Sequence, residues 1–116
     1  MDHKDLEAWK KGIGLVKTVY QITRDFPKDE LFGLTGQIRR CAVSIPSNIA
    51  EGAARNSDKD FVRFLYIALG SLAELETQLI ISKEIGLFNE FEKMDLQLTN
   101  TRRPILGLIK YLQTKR

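Results

Sequence analysis

Apolar side chains in this chain recur at alternating intervals of three and four, the spacing of one face of an α-helix. The first such stripe is Leu6, Trp9, Ile13, Val16 and Tyr20, with Thr23 next, and it predicts an amphipathic helix of roughly 20 residues. That helix should stop near Phe26-Pro27, because proline disfavours helical backbone in the residue before it and the following Lys-Asp-Glu is polar. A second stripe, Leu34, Ile38, Cys41 and Ile45, continues through Ile49, Ala50, Gly52 and Ala53 to Arg55. Pro46 interrupts it. Within a helix this proline removes the bond to the Ala42 carbonyl and clashes with it, at a cost of ~3 kcal/mol. Either one kinked helix or two short helices broken at Ser44-Ile45-Pro46-Ser47 would follow. The stripe runs across the proline and favours the kinked helix.

Ser57 followed by Asp58, Lys59 and Asp60 is an N-cap with acidic residues in the first turn, where they meet the positive end of the helix dipole. Phe61, Leu65, Ala68, Leu72, Leu75 and Leu79 then carry a third helix to Gly86, a left-handed stop. Asn89 is positioned to cap a fourth, with Phe91, Met94, Leu98, Thr101, Ile105, Leu108 and Leu112 on its apolar face. Pro104 should bend this helix and free the Asn100 carbonyl. Short connections between four such helices make neighbours antiparallel. The expected fold is therefore all-α, an up-down-up-down four-helix bundle in a single domain over residues 1–116.

Composition agrees with that picture and narrows the chemistry. At 116 residues, 43% apolar and 28% charged, the chain has the size and balance of one globular domain. Its N-terminus is charged and no apolar stretch approaches the ~20 residues that span a bilayer, so a cytoplasmic location without membrane contact is expected. The single cysteine, Cys41, excludes an internal disulfide. With one histidine, His3, ahead of the first helix, no zinc site or Glu-x-x-His di-iron bundle can be assembled. The same shortage removes a Ser-His or Cys-His nucleophile pair. Cys41, between Ile38 and Ile45, fits a small core residue. Gly33-Leu34-Thr35-Gly36 lacks the spacing and the Lys-Ser/Thr end of a phosphate loop. Glu51, Glu74 and Glu76 are more readily ion-pair partners of Arg39, Arg40 or Arg63 than an acid/base pair. The expectation is a non-enzymatic protein with no cofactor.

Net charge of +3 mildly favours anionic partners, and the arrangement of the cations adds to it. Lys10, Lys17 and Arg24 recur every seven residues on one flank of the first helix. Lys59 and Arg63 sit one turn apart on the third, and Arg39-Arg40 and Arg102-Arg103 are adjacent pairs. Columns of this kind track backbone phosphates with salt-sensitive affinity, whereas solvated helix faces carrying intrahelical ion pairs show the same pattern. Leu15, Ile22, Phe64, Leu69, Ile80 and Ile81 widen the apolar stripes beyond what four seams require, which points to contact between subunits.

The run Gln37-Ile38-Arg39-Arg40-Cys41-Ala42-Val43-Ser44-Ile45-Pro46-Ser47-Asn48-Ile49-Ala50-Glu51-Gly52 resembles the hallmark of the four-helix proteins encoded within intervening sequences of bacterial 23S rRNA genes. Asp5-Leu6-Glu7-Ala8-Trp9-Lys10 and Phe61-x-x-Phe64-Leu65-x-x-Ala68-x-Gly70-Ser71-x-x-Glu74-x-x-Thr77 are similar to that family too, so the resemblance covers nearly the whole chain. It implies a bundle that assembles into a ring-like homopentamer. Its related branch, the accessory variability determinants of diversity-generating retroelements, implies binding to RNA or DNA and to a partner protein such as a reverse transcriptase. Cys41 stands where the family commonly has a small residue such as alanine. In this light Ser44, Ser47 and Asn48 are expected to bond backbone groups freed by Pro46. Glu51 is expected to pair with Arg39 or Arg40 near the bend.

Overall fold

The computed structural model describes residues 2–115; Met1 and Arg116, the ends of the expected domain, lie outside the described residues. It has four α-helices, α1 Glu7–Thr23, α2 Leu34–Ala53, α3 Asp58–Glu84 and α4 Phe91–Thr114, with 3-10 turns at His3–Asp5 and Lys28–Glu30. The described residues include no strand. Packing joins α1 to α2, α2 to α3, α3 to α4 and α4 back to α1 around one core. Along the α1–α2 and α2–α3 seams the residue numbers run in opposite senses: Gly12 lies against Pro46 while Thr23 meets Arg39, and Cys41 meets Glu74 while Gly52 lies against Phe64.

Local signals account for the limits of α3. Ser57 Oγ accepts the Asp60 amide at 3.1 Å, and Asp58 and Asp60 occupy the first turn. At the other end Gly86 takes φ +82, and the Leu87 amide returns to the Ser82 carbonyl at 2.8 Å. A side chain would strain that backbone. The cap of α4 differs from expectation. Its N-cap is Glu90, not Asn89, and makes no side-chain capping bond; the Glu90 carboxylate lies 3.9 Å from Lys93 instead.

Both prolines lie inside unbroken helices, so α2 is one helix and not two. The side chains around Pro46 do not act as expected. Ser44 Oγ donates to the Cys41 carbonyl at 2.6 Å and Asn48 Nδ2 to the Ser44 carbonyl at 2.7 Å, neither of them the Ala42 carbonyl that proline frees. Ser47 is exposed. Glu51 pairs with Arg55 at 2.8 Å, since Arg39 and Arg40 are about three turns away along the same helix.

The largest departure is the rotation of α1. It buries Ala8, Gly12, Leu15, Val19 and Thr23, while Ile13 and Tyr20 are exposed and Trp9 and Val16 half-buried. The apolar surface of α1 is wide enough to hold two overlapping stripes, and the one with small residues lets α2 approach. A Cβ on Gly12 would lie 3.3 Å from Pro46 Cβ. Leu15 and Phe64, read as surplus width, are thus core residues; Ile22 and Leu69 are half-buried, and only Ile80 and Ile81 of that set are exposed. In α4, Ile109 replaces Leu108 as the fully packed residue. Helix α3 is long and apolar enough to cross a membrane by length and composition, contrary to the sequence expectation. Its Leu65, Leu72, Leu75 and Leu79 are wholly buried in the bundle, each contributing about 1.5–3 kcal/mol of apolar burial.

Candidate functional site

The nine nominated cations do not gather in one patch. Lys10, Lys17 and Arg24 are exposed along the outer ridge of α1, and none has an ion-pair partner among the described residues. The ridge spans about 21 Å, from the helical rise over fourteen residues. Lys10 also borders a groove of about 440 Å³ between α1 and α4, where Lys11, Lys93, Gln97 and Asn100 join it.

Elsewhere the cations are partly consumed by the fold. Arg39 Nε donates to Thr23 Oγ1 at 2.9 Å and its guanidinium stacks 4.5 Å over the Tyr20 ring, joining α1 to α2. Arg102 meets Glu76 at 3.4 Å across the α3–α4 seam. Arg63 lies 3.8 Å from Asp60 and 4.7 Å over the Phe64 ring. Arg55, which sequence reasoning passed over, covers the same ring at 4.8 Å. Lys59 borders a shallow groove with Val62, Leu112 and Gln113. Arg40 and Arg103 are exposed without an ion-pair partner among the described residues.

Sequence reasoning also missed a polar cleft of about 370 Å³ between α2 and α3. It is lined by Gln37, Arg40, Cys41 and Ser44 from α2 and by Ser71, Glu74 and Gln78 from α3. Its signal in the sequence is two short polar rows at helical spacing, 37-41-44 and 71-74-78, that face one another only in the folded bundle. Cys41 is buried, as expected of a core residue, but its Sγ lies 3.0 Å from the Ser71 carbonyl and 3.2 Å from Glu74 Oε1, a polar setting. Burial, and then the Glu74 carboxylate, push this thiol up to about 12, so it stays protonated at neutral pH and is no nucleophile. Gln78 is 9% exposed, and its Oε1 is buried without a hydrogen-bond partner. Among the described residues no group of three or more His, Cys, Asp or Glu side chains is placed to hold a metal.

The structural motif of α2 has a packing explanation. A Cβ on Gly52 would lie 2.7 Å from Phe64 Cβ and 3.0 Å from Phe61 Cδ1, so glycine is what lets α2 reach the start of α3. Comparison with known proteins bears on the same elements. A solved structure described as a protein with unknown function from the S23 ribosomal protein family, from Bacteroides thetaiotaomicron VPI-5482, superposes with a TM-score of 0.82 at 22% identity. The match covers 95% of this chain and 99% of that one and shows a shared fold. No curated protein matches the chain. The profile of the 23S rRNA-intervening sequence proteins matches residues 4–107, which takes in all of α1, α2 and α3, the polar cleft and most of α4. The chain belongs to the 23S rRNA-intervening sequence protein family.

Proposed function

We propose that this protein is a non-enzymatic, cytoplasmic, up-down-up-down bundle that binds nucleic acid, structured RNA in particular, through its basic helix faces. The observation that carries this reading is the α1 ridge, where Lys10, Lys17 and Arg24 are exposed at seven-residue intervals and free of carboxylate partners among the described residues. A cation already paired to a carboxylate loses that partner on meeting phosphate, whereas these three do not. Three phosphate contacts give a slope of about 2–3 in a log-log plot of affinity against salt. Raising salt from 50 to 200 mM should then weaken binding to a labelled RNA hairpin about 20- to 40-fold in fluorescence anisotropy. Absent binding at low salt, or affinity indifferent to salt, overturns the proposal.

Copies of this bundle close into a ring-like homopentamer in the same reading. Support comes from α3 and its C-cap, whose outward side carries Tyr66, Ile67, Ile80, Ile81 and Ile85, all exposed in the single chain. A helix apolar on its outer side as well as its core side is one that another surface covers. Gly70 lies amid these residues with open space around its Cβ position. In the isolated fold Gly70→Ala should stabilise by about 0.5–1 kcal/mol through helix propensity. Gly70→Trp should shift light scattering from the oligomer towards monomer while circular dichroism keeps its helical content. An unchanged mass would remove α3 from the interface.

A second reading is an interaction scaffold for a partner protein, such as a reverse transcriptase, with no nucleic-acid contact. Phe32, 93% exposed in the α1–α2 connection beside the exposed Leu31, favours it as an apolar anchor outside every seam. Loss of partner capture on Phe32→Ser, with RNA affinity absent throughout, would select this reading.

A further inference from the structure

Resting on the RNA-binding reading, the geometry points to the α2–α3 cleft as a pocket for an unpaired guanine base, its Watson-Crick edge on the Glu74 carboxylate and its O6/N7 edge on Arg40. The cleft is polar in a seam that is otherwise apolar, and the Glu74 carboxylate in it has accepting capacity to spare. Gln78 is 9% exposed, borders the cleft, and its Oε1 has no donor. Buried to that degree, the oxygen is out of an occupant's reach, and the Glu74 carboxylate is the accepting group the cleft presents. One turn earlier on the same row, Glu74 faces the same space with only a thiol near its Oε1, at 3.2 Å. A thiol is a weak donor, and the second carboxylate oxygen remains for a stronger one.

The occupant's chemistry follows from what the walls offer together. The two oxygens of the Glu74 carboxylate call for adjacent N–H donors, while Arg40, exposed and without an ion-pair partner among the described residues, calls for acceptors. A guanidinium or ammonium group would satisfy the first pair but would meet Arg40 as a like charge. Adenine and cytosine place a ring-nitrogen acceptor beside their amino group, facing a carboxylate. Uracil offers a single N–H between two acceptors. Guanine alone among the bases presents N1–H and the 2-amino group side by side, with O6 and N7 on the edge that arginine reads in bidentate fashion. Bases in loops and bulges are the ones free to enter such a pocket.

The test uses the full chain and three RNA hairpins with identical stems and loops of guanosine, inosine or adenosine. Inosine lacks only the 2-amino group. Binding should favour the guanosine loop over inosine and adenosine by about tenfold or more, within the range of one bidentate base contact. Glu74→Gln should bring the three loops to within twofold while leaving adenosine-loop affinity unchanged, which separates lost readout from lost folding. Equal affinities for all three loops in the unmodified protein overturn the pocket but leave the RNA-binding reading standing. Failure of every hairpin to bind overturns that reading, and the pocket is then decided by NMR titration with guanosine monophosphate. Shifts at the Glu74 and Gln78 amides with that nucleotide, and none with adenosine monophosphate, sustain it. Shifts with an arginine-bearing peptide, and none with the nucleotide, assign the cleft to a partner protein and overturn it.

Discussion

Replacing Lys10, Lys17 and Arg24 together by glutamate should lower affinity for a structured RNA about 100-fold at 50 mM salt and flatten its salt dependence. Each lost phosphate contact removes about 0.7–0.9 from the logarithmic salt slope, and the reversed charges add repulsion over the same ridge. All three side chains are exposed and unpaired among the described residues, so fold stability should change by no more than about 0.5 kcal/mol per site. Circular dichroism and thermal melting run beside anisotropy supply that control. Reversal of Arg39, Arg63 and Arg102 offers the contrast. Arg39 and Arg102 are hydrogen-bonded across seams, to Thr23 and Glu76, while Arg63 only lies 3.8 Å from Asp60 on its own exposed helix face, so replacing the first two should cost stability before it costs RNA affinity. A triple ridge variant that binds as well as the unmodified protein places the RNA surface elsewhere.

The second large effect falls on Gly52→Ala, a single added methyl group, which should destabilise the bundle by about 2 kcal/mol. Helix propensity alone argues the other way, since alanine is favoured over glycine by about 1 kcal/mol in a helix interior. Space decides against it. The new Cβ would stand 2.7 Å from Phe64 Cβ, 3.0 Å from Phe61 Cδ1 and 3.3 Å from the Phe61 carbonyl. Phe64 Cβ is fixed to its own backbone, so no flexible side-chain end can swing aside and α2 must move away from α3. Overpacking of this kind costs about 1–3 kcal/mol, occasionally more. Separation of the two helices would also unseat Phe64, which is held between the Arg55 and Arg63 guanidinium groups. Urea denaturation would read the loss as a lower midpoint at unchanged slope. Gly107→Ala is the internal comparison: it has nothing within 4 Å of the new atom and should stabilise slightly. If Gly52→Ala melts at or above the unmodified protein, close approach of α2 and α3 does not explain that glycine.

Alkaline conditions act on the cleft through Cys41. Its thiol is raised from 9.0 to about 12 by burial and then by Glu74, so the folded state favours the protonated form. That preference is fully present below pH 9 and is lost as pH climbs towards 12, where the unfolded chain has already ionised. Neutral and acidic pH leave this contribution untouched.

Much of the architecture was legible before folding because helices declare themselves locally. The three-and-four spacing marked four segments, Ser57 with its acidic first turn marked where α3 starts, and Gly86 marked where it stops, since each depends only on a few successive residues. The same locality limited what could be read. Whether α1 buries Leu15 and Val19 or Ile13 and Tyr20 depends on the shape of its neighbour, and it was the fit of Gly12 against Pro46 that settled the rotation. Charge columns on a helix look alike whether free or paired; Arg102 is engaged because Glu76, 26 residues earlier, lies across the next seam. The polar cleft was hidden for the same reason. Gln37, Cys41 and Ser44 are unremarkable on one helix, as are Ser71, Glu74 and Gln78 on another. The sequence alone therefore determined which segments are helical and which residues are available as cations. Only the tertiary structure decided which faces meet, which cations remain free, and where unsatisfied polar groups converge, because those depend on contacts between residues far apart in the chain.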